Sequence, residues 1–282
     1  MDVRTALLQG TKLLEDAEVG VARLTAEVLL AHALRRDRSY LFGHPEHELS
    51  ELEWLHYGRY LHERMQGKPT QYITGHQEFY GRDFRVTPDA LIPRPETEHV
   101  VETVLRLTPR VGRMLDVGCG SGILAVTLRL ETGADVWATD ISQAAIGVAA
   151  GNAQRLEAPV SFVACDLMSA IAGESMDLIV SNPPYVPLGD KAGLQREVRD
   201  WEPHVALFGG DTGLELYARI VGDAERVLRP GGWLVMELGF STSGRVAAMF
   251  SGGWAGVEIA PDLAGIPRVI AARRTAGFGF VS

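Results

Sequence analysis

The sequence predicts an α/β protein: an open, mostly parallel sheet with helices on both faces and a closing antiparallel strand, preceded by a small helical bundle and a β-hairpin linker. Three observations carry this expectation. Apolar residues recur at helical spacing through the first 75 residues, short apolar runs alternate with amphipathic helices from residue 113 onward, and the last two runs stand too close together for a helical crossover. With 282 residues, 46% hydrophobic and 22% charged, the chain suits one large or two modest cores. No run approaches ~18 uninterrupted apolar residues. Asp2 and Arg4 break up the N-terminus, so neither a spanning helix nor a signal peptide is expected and the expected location is cytoplasmic.

The first helix follows Asp2, a helix cap, with Leu7, Leu8, Leu13 and Leu14 expected on one face. Val21, Leu24, Val28, Leu29, Ala31 and Leu34 form a second apolar stripe, and Leu52, Leu55, Tyr60 and Leu61 a third. His44, His47, His56 and His62 share no zinc-like spacing and read as polar-face residues. Cys119 and Cys165 are too few for a disulfide framework or a structural zinc site, so no metal is expected.

Periodicity changes near residue 70. From Gln71 to Val86 apolar and polar positions alternate around Gly75 and Gly81, which predicts a β-hairpin between two domains. The prolines of Ile92-Pro-Arg-Pro-Glu-Thr-Glu98 then hold an extended approach to a helix over 97–107. Strands are expected at Met114–Val117, Asp135–Asp140, Val160–Ala164, Asp177–Ser181 and Trp233–Glu237. Helices are expected over 122–130, 143–155, 213–228 and 242–250, with Val257 and Val269 centring an antiparallel pair. The expected domains are a helical substrate-docking domain over 1–75, the hairpin linker over 76–95 and a catalytic domain over 96–282. The net charge of −9 disfavours tight binding to bare nucleic acid through phosphate contacts. It resides mostly in the last of these domains, which has 15 basic and 22 acidic residues.

Ligands of such sheets bind beyond the carboxyl ends of the strands. The first strand runs into Asp116-Val-Gly118-Cys119-Gly120-Ser121-Gly122, a tight turn that lacks dinucleotide-fingerprint spacing but permits close backbone approach at a helix N-terminus. The second strand ends in Asp140, a carboxylate suited to both hydroxyls of a ribose, and the third in Cys165-Asp166-Leu167. Each aspartate alone could be a helix cap; together with the turn they describe a pocket for an adenosine without pyrophosphate. This pattern resembles the cofactor site of the Rossmann-like class I S-adenosylmethionine-dependent methyltransferases, whose order of elements residues 113–273 match. The resemblance implies that Gly118, Cys119, Gly120, Ser121, Gly122, Asp140, Asp166, Leu167 and Asn182 bind S-adenosyl-L-methionine. Leu167 stands where the family often has tryptophan, so apolar contact with adenine replaces ring stacking. Thr242 follows Glu237-Leu-Gly239 where a glutamine is common.

The fourth strand ends in Asn182-Pro183-Pro184-Tyr185. As bare dipeptides these mark a turn, but beside a methyl donor they suit a planar NH₂ group. An amide nitrogen is a poor nucleophile because its lone pair is delocalised, so positioning must dominate. The Asn182 side-chain oxygen and the Pro183 carbonyl can each accept one N–H, Pro184 stiffens the backbone, and Tyr185 offers a flat face. The proton leaves after methyl transfer, so no general base is needed. The motif is similar to that of amino-methyltransferases acting on adenine, guanine or glutamine, and by itself leaves these open.

Three further stretches resemble the protein-glutamine methyltransferases: Ile92–Glu98, Gln71-Tyr-Ile-Thr-Gly75, and Glu197-Val-Arg-Asp-Trp-Glu-Pro-His through Gly213. A helical domain of this size before the hairpin is similar to the members that modify the Gly-Gly-Gln glutamine of bacterial peptide chain release factors. The resemblance implies in-line transfer from S-adenosylmethionine to that side-chain amide. It implies release factors as protein partners; the charge balance and the lack of a long apolar run add the expectation of neither direct nucleic-acid nor membrane binding, and a monomer is expected. Competing readings are a glutamine methyltransferase for a ribosomal protein, a nucleic-acid amino-methyltransferase, and a non-catalytic binding protein on the same scaffold.

Overall fold

The computed structural model describes residues 1–108 and 112–275, so the last residues of the expected 96–282 domain lie outside it. The chain divides into two compact units. One comprises Met1–His76 with Gln195–Trp201, and the other Gln77–Leu194 with the chain from Glu202 onward.

The first unit holds α1 (Val3–Asp16), α2 (Ala22–Leu34), α3 (Arg38–Gly43), α4 (Glu51–Met65) and α5 (Thr70–Thr74). Asp2 caps α1 by accepting from the Thr5 N–H, and Ser50 with Glu53 forms a capping box on α4. The buried face of α1 is Val3, Ala6, Leu7, Gly10 and Leu14. Leu8 and Leu13 are exposed, as are Val21, Leu24, Leu52 and Leu55. These six correct the expected stripes: Leu8 and Leu13 sit about 100° round α1 from buried Leu7 and Leu14, Val21 precedes α2 in the left-handed region, and Leu24, Leu52 and Leu55 lie on helix faces that the bundle leaves uncovered. Gly10 lets Tyr57 of α4 pack tightly, because a Cβ there would lie 1.9 Å from the Tyr57 hydroxyl. Buried Glu27 accepts from Arg23 at 2.8 Å and Arg38 at 2.6 Å, so its charge is matched inside the bundle. A helix from Arg196 to Trp201, distant in sequence, joins this unit through a 2.5 Å bond from Arg64 to Glu197.

The segment 70–74 is helical where the alternation predicts strand, and Gly75 ends it in the left-handed region at φ +78°. The hairpin itself is shorter: β1 (His76–Phe79) and β2 (Arg82–Arg85) flank Tyr80 and Gly81, both at positive φ. Phe79 and Phe84 are fully buried in the core of the second unit, edge to face with each other. The hairpin therefore belongs to that core and is no separate linker.

The remaining elements are α6 (Glu98–Leu107), β3 (Arg113–Val117), α7 (Ile123–Thr132), β4 (Asp135–Asp140), α8 (Gln143–Arg155), β5 (Val160–Ala164) and β6 (Met176–Ser181). They continue with β7 (Val186–Pro187), α9 (Arg196–Trp201, the helix already placed in the first unit), β8 (Phe208–Gly210), α10 (Glu215–Val227), β9 (Leu228–Glu237), α11 (Ser243–Ala247), β10 (Trp254–Pro261) and β11 (Pro267–Arg274). Seven strands form one sheet in the order β10-β11-β9-β6-β3-β4-β5, parallel except at β11, which runs antiparallel to both neighbours. This is the class I methyltransferase sheet. Its strands are apolar on both faces: Met114, Leu178, Val180, Val235 and Val269 join one core, while Leu115, Ile179, Leu234, Met236 and Ile270 join the other. The first core is covered by α6, α7 and α8, the second by α10 and α11. Helix α11 is shorter than the expected 242–250, and β9 starts at Leu228, upstream of Trp233. The chain reverses direction across the sheet at β3, leaving a crevice beyond the carboxyl ends of β3, β4, β5 and β6.

Candidate active site

That crevice holds a cavity of about 250 Å³. Its wall includes Gly118, Cys119, Gly120 and Ser121 from the glycine turn, Asp140, Asp166, Leu167, Asn182 and Pro184. Four strand ends distant in sequence thus meet where the sequence predicts a cofactor site. Gly122, Pro183 and Tyr185 do not line the cavity. Gly122 instead packs against α8, where a Cβ would come 3.0 Å from that of Ala149. Pro183 is buried, and the Tyr185 ring lies on Gly239, where a Cβ would sit 2.7 Å from the ring.

The glycine turn is tied to β4 twice over. The N–H groups of Gly118 and Cys119 both donate to the Thr139 carbonyl, at 2.8 and 2.9 Å. The Gly120 N–H donates to one Asp140 oxygen at 2.9 Å, and the Ser142 N–H to the other at 2.8 Å. Gly118, Gly120 and Gly122 have φ of +74°, +53° and +83°, and at the first two a Cβ would meet no other atom within 4 Å. Conformation, not crowding, therefore demands glycine there. Asp166 is bonded by Arg219 at 2.7 Å, and both side chains reach the cavity wall. Leu167 sits at φ +48°, and Ile141, which sequence reasoning did not single out, forms another apolar part of the wall. Burial pushes the Cys119 thiol far up, which leaves it inert.

Asn182 is held from the side away from its own strand. Its Nδ2 donates to the Thr97 hydroxyl at 3.1 Å, and that hydroxyl donates to Glu237 Oε2 at 2.6 Å. Thr97 and Glu237 are both buried, and desolvation pushes the Glu237 carboxyl up to about 7. Arg94, also on the cavity wall, donates to buried Glu202 at 2.5 Å, and Glu202 accepts from the Ile92 N–H at 3.3 Å. The loop from Ile92 to Glu98 is thus anchored to two glutamates far along the chain. The glycines after Leu207 support the Asn-Pro-Pro-Tyr backbone. A Cβ at Gly209 would lie 2.3 Å from the Pro184 carbonyl oxygen, and one at Gly213 would lie 2.2 Å from that of Tyr185. Val186 N–H donates to the Leu207 carbonyl at 3.0 Å to close this contact. Thr242, the other departure from the family pattern, is buried and donates to the Gly239 carbonyl at 2.8 Å.

The chain matches the PrmC N-terminal domain over residues 5–75 and the methyltransferase small domain over residues 97–195. Over 278 residues it is 48% identical to a release factor glutamine methyltransferase of Koribacter versatilis, covering 97% of this chain and 99% of that one. The chain belongs to the release factor glutamine methyltransferases. A second member, from Nitratidesulfovibrio vulgaris, is 45% identical over 270 residues, covering 93% of this chain and 91% of the relative. A solved methyltransferase from Pyrococcus furiosus has the same fold, with a TM-score of 0.52 at 18% identity over 70% of this chain and 91% of that one. So does a ribosomal protein L11 methylase from Lactobacillus delbrueckii subsp. bulgaricus, at 0.50 and 17% over 71% and 89%.

The fold family implies S-adenosylmethionine, and the cavity residues fit it. Asp140 spends one lone pair per oxygen on backbone N–H groups and has others left, which is the acceptor capacity a ribose diol would need. Asp116, fully buried on the cavity wall, has one oxygen bonded to the Ala125 N–H at 3.0 Å and the other without a partner among the described residues. An unpartnered buried carboxylate oxygen favours a cationic ligand, and S-adenosylmethionine carries both a sulfonium and an ammonium. Desolvation holds the Asp116 carboxyl up at about 7. Among the described residues, no group of three or more His, Cys, Asp and Glu is arranged to hold a metal ion, and no helix is long and apolar enough to cross a membrane.

Asp116 and Thr97, like Ile141 and Arg94, lie on the cavity wall without having been assigned to the site by sequence reasoning, and Glu237 joins it only through Thr97. Asp116 was visible only as the start of the glycine motif, and Thr97 only as a member of the loop before α6. Nothing in the spacing of Glu237 points to either.

Proposed function

We propose that this chain methylates the side-chain amide nitrogen of the Gly-Gly-Gln glutamine in peptide chain release factors. One observation carries the reading: the Asn182 amide, its nitrogen already bound to Thr97, lies on the wall of the same cavity as the glycine turn and Asp140. That turn, Asp116, Asp140 and Leu167 would hold S-adenosylmethionine, which would supply an electrophilic methyl group. The chain's own residues do the positioning. Asn182 keeps Oδ1 as its acceptor for one substrate N–H, and the carbonyl that joins buried Pro183 to Pro184, the proline on the cavity wall, accepts the other, which holds the nitrogen in one orientation. No side chain has to remove a proton beforehand, because the nitrogen becomes acidic once alkylated. The cationic guanidinium of Arg94, steadied by Glu202, belongs to a residue on the wall of the same cavity.

The helical unit supplies the rest of the recognition in this reading. A lone glutamine offers little surface, so a second contact is needed to distinguish one protein from another. Exposed Phe42, Leu52, Trp54 and Leu55 support such a docking role. Release factors act in the cytoplasm, and the enzyme would act there too.

Incubating the enzyme with labelled S-adenosylmethionine and separate pools of release factor, ribosomal protein and DNA, then mapping the label by mass spectrometry, tests the assignment. Label on the Gly-Gly-Gln glutamine is expected. Label confined to another pool would overturn it. Replacing Leu52 and Leu55 together by serine should raise KM for intact release factor and leave KM for a short Gly-Gly-Gln peptide unchanged, and equal effects on both substrates would remove the docking role.

A further inference from the structure

Thr97 ends a 3-10 turn, Pro95–Thr97, that runs straight into α6, and its own backbone is helical at φ −66° and ψ −19°, so its side chain makes no capping bond. Capping needs an extended backbone at the residue before the helix, so this hydroxyl is left for other partners. Instead its hydroxyl is turned to Glu237, 140 residues along the chain, with the Asn182 amide on its other side. All of Thr97 and nearly all of Glu237 are withdrawn from water, so water cannot substitute for either partner.

Resting on the reading above, we propose that Thr97 and Glu237 are positioning residues that determine which end of the Asn182 amide meets the substrate. A hydroxyl has a single proton. An ionised carboxylate only accepts, so the Thr97 proton must go to Glu237, and towards Asn182 the hydroxyl can only receive. Asn182 must then present its NH₂ group to Thr97, which leaves Oδ1 for the substrate. An asparagine amide is nearly symmetric in shape, and packing alone distinguishes its two ends poorly. The reversed amide would set NH₂ against the NH₂ of the glutamine, donor against donor.

Protonation of Glu237 reverses the polarity. The carboxylic acid donates to the Thr97 oxygen, which frees the hydroxyl proton for Asn182 Oδ1 and favours the unproductive orientation. The groups around Glu237 are Arg268 on β11, Arg94 and Glu96 in the loop before α6, Tyr185 after β6 and Tyr217 on α10. The two arginines favour its charge, while burial and Glu96 oppose it.

The test uses the full-length enzyme with release factor as substrate, both substrates saturating. T97V, which keeps the shape and removes the hydroxyl, should lower kcat at least tenfold with the affinity for S-adenosylmethionine within about threefold of the native enzyme. T97S should recover most of that loss. The native kcat should fall below about pH 7, and E237Q, which offers a donor at every pH, should give a lowered kcat without that acid limb. A T97V enzyme within twofold of native, T97V and T97S equally impaired, or an unchanged acid limb in E237Q would each overturn the proposal. If T97V does not fold, the E237Q pH profile decides. The Asn182 side-chain amide protons, followed by NMR without substrate, should be protected from exchange in the native protein and exposed in T97V. That readout separates failure of the relay from failure of the functional reading, since it requires no methyl transfer, and equal exchange in both proteins would again overturn the relay.

Discussion

Gly209 lies against the carbonyl of Pro184 so closely that a Cβ would stand 2.3 Å from the oxygen. The clash is with backbone, which has no rotamer to escape into. Gly209→Ala should therefore displace the Asn-Pro-Pro-Tyr loop, costing about 1–3 kcal/mol of stability by overpacking and lowering kcat more than it weakens cofactor binding. Thermal unfolding and steady-state kinetics on one preparation check both parts; an alanine variant with native kcat would show that the loop tolerates the shift.

Asn182→Ala removes the acceptor that orients the substrate nitrogen while leaving the glycine turn intact. We expect kcat to fall by about 10²-fold or more, since misplacement of a reacting group by about 1 Å has that effect. Binding of S-adenosylmethionine, measured by calorimetry, should change little. Near-native turnover would count against the role of this side chain.

Asp140 accepts from Gly120 and Ser142 and is left with acceptor capacity for a ribose. Asp140→Ala should weaken S-adenosylmethionine binding tenfold or more, because hydrogen bonds to a charged group contribute about 1.5–3 kcal/mol each. Equilibrium dialysis showing unaltered affinity would refute the assignment.

Asp116 predicts how cofactor affinity depends on pH. In the free enzyme burial holds its carboxyl up at about 7, so below that pH it carries a proton. A cationic ligand beside the unpartnered oxygen favours the ionised form, so binding expels the proton. Affinity should be flat above pH 7 and fall up to about tenfold per pH unit below it. Asp116→Asn should flatten the profile, and an identical pH dependence in the variant would assign it elsewhere.

The same group sets a trend in stability without cofactor. The unfolded chain loses the Asp116 and Glu237 protons near pH 4, whereas the folded protein keeps both to about pH 7. Native protein therefore binds more protons between these limits, and these two groups make stability fall as pH rises from about 4 to 7. Denaturant unfolding of the free protein at a series of pH values, compared with Asp116→Asn, should show a shallower decline in the variant.

Much of the architecture was legible because it is written in local periodicity. Alternating apolar residues in β3, β6 and β9 fill both cores in turn, and α8 starts and ends where the sequence predicts. The glycine turn, Asp140, Leu167 and Asn182 were legible because turns and strand ends have residue preferences of their own. Less legible were Leu8, Leu13, Leu52 and Leu55, apolar residues that the small bundle leaves exposed. The extent of the hairpin also escaped, since Gly75 ends a helical turn and not a strand.

The sequence by itself determined that four strand ends carry a glycine turn, two aspartates and an Asn-Pro-Pro-Tyr loop, because each is a short-range pattern with its own backbone logic. Only the tertiary structure decided that the Thr97 hydroxyl joins Asn182 to Glu237, that Asp116 keeps a buried oxygen with no partner among the described residues, and that Gly209 supports Pro184. Those relationships depend on which buried polar groups find one another across 25 to 140 residues of chain. Burial makes each such pairing obligatory, but it leaves no periodic trace in the sequence.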